Sequence, residues 1–185
     1  MNQQAVRPEE PSSCALAFEC IRNEVETSSL TDITVRLGRA PRWAGATGSW
    51  WWTVLQHSLM MEEELNLKGA DHETRLFALF HDMHEFATGD IPTQYKCADI
   101  IKCQAYTDTL LLNKFGLIRP SKEVSQRIAE LDKECQYKEN HHFREQDDFI
   151  PGYEHLTVMP THTAFHNSTL VQEFVERFNQ LLGMV

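Results

Sequence analysis

The 185-residue chain predicts an all-α fold of about six helices. Three observations carry this. Apolar residues recur at spacings of three and four through most of the length, the period of a helix with one buried face. No run of four or more residues alternates apolar and polar between hairpin turns. Start and stop residues punctuate the periodic stretches, with Asp71 and Ser121 as candidate caps and Gly89 as a candidate stop. No internal repeat or low-complexity segment interrupts the pattern. A hydrophobic content of 42% can fill one sizeable core, so a single domain over 12–185 is expected, after a polar and flexible lead-in at 1–11.

A first helix over about 12–26 would gather Ala15, Phe18, Ile21 and Val25 on one face. The stretch 27–49, rich in Thr, Ser, Gly and Pro, reads as an irregular connection. A helix over about 51–67 would align Val54, His57, Ser58 and Met61. The next would run from Asp71 to about Thr88, with Leu76, Phe77, Phe80, His81 and His84 in helical register. Pro92 interrupts the chain, and a helix over about 93–115 follows. Ser121 opens another to about His142, on which Val124, Ile128, Leu131 and Cys135 form a stripe. The stretch 145–166 reads as loop, and 168–182 as a closing amphipathic helix.

The formal charge of −10 and a pI near 5.3 argue against binding a nucleic-acid polymer, where basic patches dominate affinity. A small nucleotide remains compatible if a metal and a few cations converge on one pocket. Five cysteines (Cys14, Cys20, Cys97, Cys103, Cys135), odd in number and without a close pair, fit reduced thiols in a cytoplasmic protein. The first eleven residues lack a signal-peptide pattern, and no apolar run approaches the ~20 residues that span a bilayer, so no membrane association is expected.

The chemistry is concentrated in His57, the pair His81–Asp82, and Asp132. Two imidazoles and two carboxylates make a nitrogen and hard-oxygen donor set. It suits a divalent transition ion (Zn²⁺, Co²⁺, Mn²⁺ or Fe²⁺) with coordination positions left for water or phosphate, whereas closed structural zinc sites favour thiolates. A lone histidine is more often a packed or surface residue; the ordered set is what carries weight. Asp132 follows the stripe residue Leu131, and a carboxylate near an apolar stripe is costly unless paired or metal-bound. Glu85, three residues after Asp82, would share its helix face and offer a carboxylate for proton transfer, or else support a ligand histidine. Arg36, Arg39 and Arg42 crowd one segment of an acidic protein, and guanidinium groups suit bidentate phosphate recognition. Trp50, Trp51 and Trp52 read as packing residues, and His141, His142, His155, His162 and His166 as surface or loop residues.

This order, H…HD…D, resembles the HD-domain phosphohydrolases, which are helical bundles. A closer resemblance rests on several segments. Arg42–Trp43 precedes Thr53-Val54-Leu55-Gln56-His57-Ser58; then come His81-Asp82-Met83-His84-Glu85, Gly89-Asp90-Ile91-Pro92, and Lys96. Together these are similar to the branch that holds the 5′-deoxynucleotidases and the phage dATP triphosphohydrolases. The short interval from Asp82 to Asp132 resembles the phage enzymes more, and Glu176-Arg177-Phe178-Asn179 is similar to prophage members. The motif-bearing resemblance runs from Arg42 to Asp132, about half the chain.

The resemblance implies that Glu85 is the catalytic carboxylate. It brings Asp90 to the sugar or the attacking water, although a turn role is equally open. It assigns Arg42 and Lys96 to phosphate, although Lys96 also reads as a surface lysine, and lets Trp43 stack on a purine; Arg39 is a phosphate candidate from the arginine cluster alone, with a solvated, salt-bridged loop as its other reading. The implied substrate is a deoxynucleotide, with dATP hydrolysed to deoxyadenosine and triphosphate; release of phosphate from monophosphates is the alternative. Ala44 and Gly45 offer little bulk with which to exclude guanine. One tightly held ion is expected, with accessory Mg²⁺ bridged through phosphate, because only His84 lies between Asp82 and Asp132 as an extra histidine. A homo-oligomer is implied, in the host cytoplasm if phage-encoded. A non-catalytic scaffold or metal-sensing domain would be expected to lack a ligand or the acid/base group, and the sequence carries all of them.

Overall fold

Regular structure in the computed structural model is helical throughout the described residues, 13–47, 51–144 and 167–185. The expected lead-in at 1–11 and loop at 145–166 lie outside them, as do Trp50, His155, His162 and His166. There are eight α-helical segments among the described residues, more than the six expected. They are α1 (Ser13–Thr27), α2 (Leu30–Leu37), α3 (Val54–Leu67), α4 (His72–Phe80), the single turn α5 (Glu85–Thr88), α6 (Ala98–Phe115), α7 (Lys122–Arg144) and α8 (Asn167–Leu182).

Two of the additions are corrections. The stretch 27–49 is not all irregular, because α2 forms within it. Ser29 and Asp32 cap each other's backbone in a reciprocal capping box, and Ile33, Thr34 and Leu37 supply a buried face. The helix expected over 71–88 breaks after Phe80. Met83 N–H bonds back to the Phe80 carbonyl (2.9 Å) and Glu85 N–H to the Asp82 carbonyl (3.0 Å), the i−3 pattern of a tighter 3₁₀ winding. The helix expected over 93–115 begins later, at Ala98, after a 3₁₀ turn at Thr93–Tyr95.

Helix α3 is the central element, with Val54 through Glu62 all buried. Thr53 and Gln56 cap it reciprocally. Arg42 N–H donates to the Trp52 carbonyl (2.9 Å) and Val54 N–H to the Ala40 carbonyl (3.1 Å), which ties the Arg42 segment to the start of α3. Helices α4, α7 and α8 pack around α3, and α1 lies on α6. Phe174 and Phe178 of α8 are fully buried, and Phe178 meets Phe115 edge-on at 5.1 Å. Glu62 is wholly buried yet compensated, since Arg75 and Arg177 both donate to its carboxylate. The Glu176-Arg177-Phe178-Asn179 segment thus serves the core through Arg177 and Phe178. Trp52 is buried against Phe143 as a packing residue, but Trp51 is 58% exposed, against expectation.

A candidate metal centre where three segments meet

His57 comes from α3, His81 and Asp82 from the break after α4, and Asp132 from α7. One donor atom from each lies within 4.8 Å of all the others. His57 Nε2 is 3.0 Å from Asp132 Oδ1 and 3.9 Å from Asp82 Oδ2, and His81 Nε2 is 3.1 Å from Asp82 Oδ2 and 4.0 Å from Asp132 Oδ1. Donors about 2.1 Å from one ion in a tetrahedral set stand ~3.4 Å apart, within this range. Among the described residues, His57 Nε2, His81 Nε2 and Asp132 Oδ1 are buried without a hydrogen bond of acceptable geometry. Buried polar atoms left in that state are costly, and a divalent cation would satisfy all three. The donor set therefore fits the expected ion.

The far side of three of the donors is held. His81 Nδ1 is 2.7 Å from the Ala78 carbonyl, Asp132 Oδ2 accepts from Gln136 (2.7 Å), and His57 Nδ1 is 2.5 Å from Glu139 Oε1. Such outer contacts fix the ring orientation of ligating histidines and raise their basicity. Burial opposes the charge on His81, but the Asp82 and Asp132 carboxylates outweigh it and push its pKa up to about 9. Burial likewise works against ionisation of Asp132, yet the two imidazoles hold its carboxyl at about 2.

Glu139 is the residue that sequence reasoning missed. It is fully buried, and its other oxygen accepts from Arg42 Nε (2.9 Å) and Trp43 Nε1 (3.1 Å). Burial alone would raise its pKa; the Arg42 guanidinium and His57 hold it at about 2 instead. A signal was present. Ile128, Leu131 and Cys135 step along the buried face of α7 at helical spacing, and four residues on that face carries an acid.

Two of the donors, Asp82 and Asp132, line a cavity of about 390 Å³ whose walls also include Arg42, Trp43, Glu85, Asp90 and Lys96. On a 3₁₀ winding, side chains at i and i+3 eclipse, which sets Glu85 over Asp82. Burial first, then the Asp82 and Asp90 carboxylates, push the pKa of Glu85 up to about 9. An ion among the four donors would oppose that shift. Lys96 Nζ stands 4.0 Å from Glu85 Oε1, and Glu85 Oε2 is buried without a hydrogen bond among the described residues. His84, whose Nδ1 is 3.0 Å from Asp108, also has one ring nitrogen within 4.8 Å of donor atoms on Asp82 and Glu85.

Trp43 (φ 59°) and Ala44 (φ 51°) are left-handed, a conformation that costs a non-glycine residue about 1–3 kcal/mol and persists only where its surroundings hold it. Asp90 does so from below, accepting the Trp43 backbone N–H at 2.9 Å. Asp90 is thus a loop-holding residue as well as a cavity wall.

The three arginines do not act together. Arg36 sits on α2, paired with Glu24 (2.8 Å) and over the Phe86 ring (5.6 Å). Arg39 is exposed and lines a groove between α2 and α8 with Val35 and Val171, not the cavity. Because α2 is a helix, its end carries Arg39 onto another face. A second cavity of about 340 Å³, walled by Phe77, Phe80, Leu112 and Ile128, also reaches His81 and Asp132.

Comparison with protein-family models and with curated protein sequences found no match.

Proposed function

We propose that the chain is an HD-domain phosphohydrolase that hydrolyses deoxynucleotides with a divalent transition ion held by His57, His81, Asp82 and Asp132. One observation supports this above all: four donors from three segments meet within 4.8 Å, beside a buried carboxylate and two cations. A bound ion supplies Lewis acidity toward a phosphoryl oxygen and lowers the pKa of water. Glu85, a buried carboxylate on the cavity wall, would take the proton of the attacking water, with the ion opposing the upward shift of its pKa and so leaving it free to accept. Arg42 and Lys96, both on the cavity wall, would neutralise charge developing on the phosphoryl oxygens. Trp43 would cover the nucleoside, held by Asp90 and Glu139. Asp82, Glu85 and His84 are the residues that would hold an accessory ion.

Cleavage of dATP to deoxyadenosine and triphosphate is the first reading. The position of Arg39 favours a second one, a 5′-deoxynucleotidase, since Arg42 and Lys96 are the cations on this cavity among the described residues. Incubation with Mn²⁺ or Co²⁺ and each dNTP and dNMP, followed by identification of the phosphorus product, separates them. Triphosphate from dATP supports the first and orthophosphate from monophosphates the second. No product from any of them refutes both and leaves a metal-binding scaffold.

A further inference from the structure

The Glu139 carboxylate faces two functional groups at once. Oε1 is 2.5 Å from Nδ1 of the ligand histidine His57, and Oε2 accepts from Arg42 Nε and Trp43 Nε1. Glu139 and His57 are fully buried and Arg42 is 5% exposed, while Trp43 is half-buried at the cavity wall. We infer that Glu139 is a positioning residue that couples metal occupancy to the order of the Arg42–Trp43 loop, so that the ion and the phosphate-binding loop are set together. This rests on the metal centre proposed above.

The physical chain is short. An ion on His57 Nε2 draws electron density from the ring and makes Nδ1–H a stronger donor, which tightens its bond to Glu139. Glu139 is then fixed in place and charge. Its second oxygen engages the Nε edge of Arg42, a residue of the cavity wall, and it pins the indole of a residue in a strained backbone conformation. Loss of the ion loosens the loop, and by reciprocity an anion that orders the loop strengthens binding of the ion. Arg42 has a second link, since its Nη1 is 3.4 Å from Asp82 Oδ2, so Arg42 would respond to the ion by either route. The Trp43 indole N–H reports the Glu139 route.

The test uses the full-length chain labelled with ¹⁵N, with the Trp43 indole signal assigned from a Trp43→Phe spectrum. Addition of Zn²⁺ alone should shift that signal in the wild type. In Glu139→Gln, calorimetry should show Zn²⁺ affinity reduced roughly 10–100-fold, and the Trp43 signal at saturating Zn²⁺ should stay at its zinc-free position. A Trp43 signal indifferent to bound Zn²⁺ in the wild type, or one that moves as fully in Glu139→Gln, overturns the coupling. The wild-type spectrum decides alone if that variant does not fold. Failure to bind Zn²⁺ at all removes the metal centre itself, whereas bound Zn²⁺ with a silent indole removes the coupling and spares the hydrolase.

Discussion

Metal removal should lower the thermal stability of this protein by an amount that the centre itself sets. Its four donors come from α3, the break after α4, and α7, so the assembled site exists in the folded chain and not in an extended one. An ion that binds the folded state, at 100 to 1,000 times its Kd, adds about 2.7–4.1 kcal/mol. For a chain of 185 residues each kcal/mol corresponds to about 2–4 °C, so the melting temperature should rise by roughly 5–16 °C on loading. The assay is a pair of melts followed by circular dichroism, after EDTA and after addition of Zn²⁺ or Mn²⁺. Asp132→Asn is the control. Asp132 is a partly exposed donor, so its exchange leaves α7 packed through Leu131 and Cys135 while it weakens the site. Coincident melts for the chelated and loaded protein, or an undiminished rise in Asp132→Asn, would refute the reasoning.

Three further outcomes are expected. Glu85→Gln should reduce turnover by about 10²-fold or more while the metal content stays at the wild-type level; unchanged turnover would take Glu85 out of the reaction. Phe178→Ala, which empties a fully buried ring position against Phe115, should destabilise by about 3–5 kcal/mol and lower the urea midpoint. Asp71→Ala should cost about 0.5–2 kcal/mol at neutral pH, because Asp71 accepts the Thr74 N–H at the start of α4. That bond lowers the pKa of Asp71 in the folded state. Its contribution is therefore complete above the unfolded value near 3.8 and fades as pH falls through the lower folded value. Denaturation curves at pH 7 and pH 2 should show the difference between variant and wild type shrinking at the acid end.

Much of the bundle was readable from periodicity. The cores of α7 and α8 follow buried stripes that a three-and-four spacing exposes, as do Ile21 and Val25 of α1, whereas α3 is buried on every side through its first nine residues; the ordered His57, His81–Asp82 and Asp132 meet in the fold. What stayed hidden depended on context. Helix α2 has eight residues in a Thr- and Ser-rich stretch, and its capping box at Ser29 and Asp32 reads equally well as loop polarity. The break after Phe80 has no proline or glycine to announce it. Arg39 lies close to Arg42 in sequence, but its direction is decided by the helix that precedes it. Glu139 does not stand out in the sequence because an acid on a long, charged helix is ordinarily solvated, and only its place in the buried stripe distinguishes it.

The change in winding beyond Phe80 has a consequence for engineering. Three steps of a 3₁₀ turn bring a side chain round by ~360°, whereas three steps of an α-helix bring it round by ~300°. Regularising this segment into a continuous helix would therefore swing the Glu85 carboxyl by roughly 60° relative to Asp82, off the cavity it now borders. Substitutions chosen to extend α4 would add helix and lose the acid, so stability gained in this stretch and chemistry retained there pull in opposite directions.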